Sequence, residues 1–145
     1  MRPLVLLAGL LISCGGGESV GRLEIALRAH QMPCDIPGLQ AKLQIAGQSG
    51  DCPLLVNADR TVTGECPSVP TGQVMECRLV YFILLNAVDP PVELATALEE
   101  LNLVDFTGET AQLAFPSSSL NIDIDDDNDT MSNLAEVCAG GNPRG

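Results

Sequence analysis

Asp125, Asp127, Asp129, the Met131 carbonyl, Asn133 and Glu136 place oxygen atoms at positions 1, 3, 5, 7, 9 and 12 of one short stretch of chain. A hard divalent cation of calcium's size takes six to eight oxygen ligands at this spacing, with the last carboxylate binding through both of its oxygens. Counting from Asp123 instead would put Leu134 at position 12, which brings no side-chain oxygen, so Asp125 is the start. Position 9, Asn133, is expected to act directly or through a water. Position 6 is Thr130, where glycine normally makes the sharp turn. A left-handed backbone costs such a residue about 1–2 kcal/mol, so weak binding is expected, with a dissociation constant of roughly 10⁻⁴–10⁻³ M. At an ion concentration tenfold above that constant, binding stabilises the fold by only about 1.4 kcal/mol, which suits a structural staple rather than a switch.

Acidic runs near chain ends are often solvated tails, but Leu134 and Val137 make an apolar helical face here and Gly140-Gly141-Asn142-Pro143 supplies a helix stop. The stretch resembles EF-hand loops, and more closely the thrombospondin type 3-like and dockerin-type calcium loops of extracellular proteins. Ser132-Asn133-Leu134-Ala135-Glu136 and Ala139-Gly140-Gly141-Asn142-Pro143 match the continuation of those loops. The resemblance implies Ca²⁺ as the ligand and covers only the end of the chain. Leu120, Ile122 and Ile124 alternate before the loop as a strand, so half an EF-hand is expected at most.

The elements that must position this loop read as strands. Leu23, Ile25 and Leu27 alternate with polar neighbours, as do Leu39, Ala41, Leu43 and Ile45. Pro53 to Val56 is a short strand, Asn57-Ala58-Asp59-Arg60 a hairpin turn into Thr61-Val62-Thr63, and Gln73 to Leu85 the longest strand, entered through Val69-Pro70-Thr71-Gly72. Residues 92–103 fit either a helix (Leu94, Ala95, Leu98, Leu101) or a strand (Val92, Leu94, Thr96, Leu98), and the surrounding pattern tilts them towards strand. Asp105-Phe106-Thr107-Gly108 is a turn and Thr110 to Phe115 a further strand. The fold class expected is mainly β: a single Ig-like or transthyretin-like β-sandwich over 22–122, then a calcium loop and short helix over 123–145.

The chain carries 19 acidic residues against 7 Lys and Arg, a formal charge of −12, and no Lys or Arg lies between Arg78 and Arg144. Such a surface repels phosphate, so nucleic acid is excluded as a partner and cations are favoured. Leu11-Ile12-Ser13-Cys14 closes an apolar leader that starts behind Arg2, and it resembles the lipobox of bacterial lipoproteins. That resemblance implies removal of 1–13 as a signal peptide and lipidation of Cys14 by palmitate-type acyl chains. It also implies a flexible tether over 14–21 and a place in the cell envelope, on an outer-membrane or periplasm-facing surface. The apolar run is too short to span a bilayer, which takes about 20 residues.

An oxidising compartment suits the remaining cysteines, for which short loops suggest Cys34–Cys52 and Cys66–Cys77 pairs with Cys138 left over. Catalysis finds little footing. His30 is the only histidine, Glu99 and Glu100 are adjacent and solvent-type, no nucleophile or zinc motif occurs, and aromatic residues are scarce. The function expected is a non-enzymatic surface interaction or structural module ordered by Ca²⁺, with an envelope or surface protein as partner. A ligand- or substrate-binding component of an envelope system is the alternative.

Overall fold

A computed structural model of the chain describes residues 20–48, 50–104 and 110–145. Its strands are β1 (Val20–Arg28), β2 (Gln40–Ile45), β3 (Cys52–Val56), β4 (Thr61–Pro70), β5 (Val74–Ile83), β6 (Val92–Asn102), β7 (Thr110–Gln112) and β8 (Leu120–Asn121). One helical turn, Ser117–Ser119, precedes β8, and the helix α1 (Asn133–Cys138) follows the acidic loop. The fold is mainly β, as expected. The strands form one hydrogen-bonded sheet in the order β7-β1-β4-β3-β2-β5-β6-β8. Every pairing is antiparallel except β7 on β1.

Period-two alternation drives Leu23, Ile25 and Leu27 of β1, Ala41, Leu43 and Ile45 of β2, and Leu79 and Tyr81 of β5 into a single apolar cluster. Because strands far apart in the sheet order share that cluster, the sheet curls around its core. The His30 backbone N–H, just past β1, donates to the Tyr81 hydroxyl on β5 at 3.0 Å, closing the curl at one end.

Residues 92–103 resolve as strand β6, and the ambiguity has a physical origin. A register shift opposite Tyr81 and Phe82 makes Leu94 an extra residue. Val92 and Leu94 then turn to a second cluster with Ile36, Ile83 and Leu134 of α1, while Ala95, Ala97 and Leu101 stay in the main core. A strand buried on both faces loses its alternation, and its apolar residues fall by chance at helical spacing. The Asp105–Gly108 turn, the leader 1–13, Cys14 and most of the tether lie outside the described residues, and β1 begins at Val20, inside the span expected to be tether.

The cysteine pairing differs from expectation. Cys34 bonds Cys138 across 104 residues, Cys52 bonds Cys66, and Cys77 is the free, buried thiol. The β3–β4 hairpin pairs Leu54 with Gly64, which sets Cys52 opposite Cys66. Cys77 on β5 is three strand positions from β4 along the sheet, on the order of 14 Å, beyond the reach of a disulfide. Burial, and next the charges of Glu99 and Glu76, push the Cys77 thiol up to about 11, so it stays protonated and inert.

Candidate metal site

Residues 123–132 have no ladder partners, so their backbone hydrogen bonds come from their own side chains. Asp125 accepts from the Asn128 N–H (2.7 Å) and the Thr130 N–H (3.0 Å), and Asp129 accepts from Met131 (2.8 Å). Asp127 accepts from the Asp129 N–H at 3.3 Å. These bonds wrap the chain so that carboxylate oxygens of Asp125, Asp127 and Asp129 lie within 4.8 Å of one another. Even fully solvated, unit charges at that separation repel by about 1 kcal/mol per pair. Thr130 takes the left-handed turn expected at position 6, with φ 81°, and Asn128 is also left-handed at 59°.

Helix α1 delivers the fourth carboxylate. Ser132 caps it, its hydroxyl accepting from Ala135 N–H at 3.2 Å. Gly140, at φ 81°, ends it in a paired closure: Gly141 N–H donates to the Glu136 carbonyl (2.7 Å) and Gly140 N–H to that of Val137 (3.1 Å). Leu134 anchors the helix against Val92 and Leu94. Glu136 is thereby held only 7% exposed, and its Oε2 is buried with no hydrogen-bond partner. Burial pushes its carboxyl above the usual range, and the charges of Asp127, Asp129 and Asp125 push the same way. Asp127 is raised too, by burial first.

The structure therefore brings together Asp125, Asp127, Asp129 and Glu136 of the six expected ligands. Met131 lies on the exposed rim of the loop. Asn133 is fully buried and serves as a brace: its Oδ1 accepts from Asp126 N–H (3.0 Å), its Nδ2 donates to the Glu93 carbonyl (2.9 Å), and its backbone N–H donates to Ile124 (2.7 Å). Arg144 adds a second tie, donating to the carbonyls of Pro90 (2.6 Å) and Pro91 (3.2 Å). Glu93 and the two prolines were missed as partners because a backbone carbonyl carries no residue-type signal. The donor set holds only hard oxygens, which fits Ca²⁺ or Mg²⁺ and not a thiolate- or imidazole-seeking metal.

His30 is committed to structure. Its Nε2 faces the Phe115 carbonyl at 2.8 Å and so carries a proton, leaving Nδ1 to accept from the Tyr81 hydroxyl at 2.9 Å. Glu99 and Glu100 sit side by side on β6, with Glu100 in solvent. Following the register from Arg28↔Thr61 through Val56↔Val62 and Gln40↔Phe82 to Ile83↔Val92 places the acidic loop at the far end of the sheet from Val20, which pairs with Pro70. No protein-family model matches this chain, and no curated protein matches it.

Proposed function

We propose that this chain is a lipid-anchored protein of the bacterial cell envelope, acting as a non-enzymatic surface module whose distal end is stapled by Ca²⁺. The observation that carries the metal is Glu136 Oε2, a buried carboxylate oxygen without a hydrogen-bond partner, set beside three clustered carboxylates. Buried charge is costly unless paired, and a divalent cation would pair all four at once. When bound, the ion neutralises the cluster; Asp125, Asp127, Asp129 and Glu136 would hold it, Asn133 positions the loop, and Leu134 transmits its order to β6. Supporting the anchor are the Leu11–Cys14 motif and the topology, since Val20 leaves the sheet at the end remote from the loop. Among the described residues no helix is long and apolar enough to cross a membrane.

Calorimetry of the full chain in neutral detergent tests the metal: Ca²⁺ should bind at millimolar or tighter, Mg²⁺ more weakly, and Glu136→Gln should abolish the heat. Absence of binding in the wild type would dismiss the staple. Fractionation tests the anchor, because Cys14→Ala should move the chain out of the membrane fraction.

A further inference from the structure

Nearly every described cation in this acidic chain is engaged. Arg22 pairs with Glu65 and Glu24, Lys42 with Asp51, and Arg78 with Glu93 and Gln44, while Arg144 is held on carbonyls. Arg28 and Arg60 are the exceptions among the described residues: both are exposed, and neither makes an ion pair. They are also neighbours. Arg28 stands opposite Thr61 across β1 and β4, and the Arg60 carbonyl accepts from Ala29 N–H at 2.8 Å.

Arg60 stands on the lip of a half-open groove of about 600 Å³ between segment 29–39 and the β3–β4 turn. Met32, Ile36, Leu39 and Val56 give the groove an apolar floor, and the Cys34–Cys138 disulfide fixes one wall. Arg60 has φ 66°, the left-handed conformation for which a turn normally recruits glycine or asparagine. Asn57 and Asp59 hold the turn through bonds to Thr61, so the Arg60 side chain is not needed to form it. A strained residue kept where its side chain is structurally idle points to a use for that side chain.

Other charges at the groove decide the sign of its occupant. Asp59 is spent on the Thr61 N–H and hydroxyl, which hold its carboxyl below the usual range. Asp35 is exposed on the opposite wall, and both ring nitrogens of His30 are used. Two free guanidinia thus face one free carboxylate.

We propose that this groove docks an acidic, extended segment of a protein partner, which lays an apolar side chain on the Met32–Leu39–Val56 floor and sets carboxylates against Arg60 and Arg28. Arg forks bind carboxylates through paired hydrogen bonds, which gives such a segment direction as well as affinity. A compact small molecule fits poorly, since pockets for such ligands bury most of their surface and this groove is open along its length. The proposal does not depend on the metal.

The test is selection of a displayed random heptapeptide library on the full chain in neutral detergent, with a synthetic copy of the winning sequence titrated by fluorescence anisotropy. Wild-type protein should enrich peptides in which Asp or Glu flank Leu, Ile, Met or Phe. Arg60→Gly removes the side chain and relieves the backbone, so it should melt no lower than wild type yet bind about tenfold or more weakly. Arg28→Ala should weaken binding as well, and Asp35→Asn should tighten it. Enrichment of basic or uncharged peptides, no enrichment, or full affinity in Arg60→Gly would overturn the proposal.

Discussion

Asn133 Nδ2 donates to the backbone carbonyl of Glu93 at 2.9 Å, joining the acidic loop to the first turn of contacts on β6. The same side chain accepts the Asp126 N–H, so one buried amide satisfies two backbone groups forty residues apart in partnership. Asn133→Ala leaves both unsatisfied, at about 1–3 kcal/mol each when buried. Thermal denaturation should fall by several degrees, and Ca²⁺ affinity should drop although no ligand oxygen is removed. Unchanged melting would mean that the loop stands free of β6.

Thr130 already occupies its left-handed conformation, held by the Asp125 bond to its N–H. The strain therefore burdens the fold whether or not an ion is bound. Thr130→Gly should recover about 1 kcal/mol, less glycine's greater entropy when unfolded. The gain should appear as a melting rise in the presence of chelator, with Ca²⁺ affinity changed by less than about threefold. A large affinity gain with unaltered chelated stability would show that the turn forms only on binding.

Much of this was legible in the residues, and the failures are instructive. The Asn57–Arg60 turn was readable, and with Asn57 N–H on the Thr61 carbonyl, counting five residues outward on each side already sets Cys52 opposite Cys66. That pairing was missed by preferring loop length to hairpin register. Cys34–Cys138 was not readable, because it depends on Leu134 and Ile36 meeting behind β6, a tertiary event across 104 residues. The metal loop was found from Asp125, Asp127, Asp129 and Glu136, since ligand spacing is local. Asn133 was expected to face the ion because loop position carries no information about which backbone groups the rest of the fold leaves wanting.

Protonation should set the pH response of the metal-free protein. Burial and neighbouring charge raise the carboxyls of Glu136 and Asp127 in the folded state. Between the ordinary carboxylate range and those raised values, the native state binds more protons than the unfolded chain, so stability falls as pH rises through that window. Calcium reverses the sign, because it binds the charged forms and competes with protons. The gap in melting temperature between calcium-loaded and chelator-treated protein should therefore be wide at pH 7 and close as pH falls into the window. A gap that widens on acidification would contradict this linkage.

The two disulfides should behave differently. In the chain-entropy view a loop of about 100 residues is worth about 4.7 kcal/mol and one of 15 about 3, so loss of Cys34–Cys138 should destabilise more than loss of Cys52–Cys66. The bonds also differ in place. Cys138 ends the helix that carries Glu136, whereas Cys52 and Cys66 join β3 to β4, away from the loop. The Cys34→Ser, Cys138→Ser double variant should lose stability and Ca²⁺ affinity together; the Cys52→Ser, Cys66→Ser variant should lose stability alone. Linkage is reciprocal, so calcium should slow reduction of Cys34–Cys138 by dithiothreitol and leave the other bond unaffected. Equal protection of both bonds would make the effect a global stabilisation, and protection of neither would uncouple the helix from the loop that precedes it.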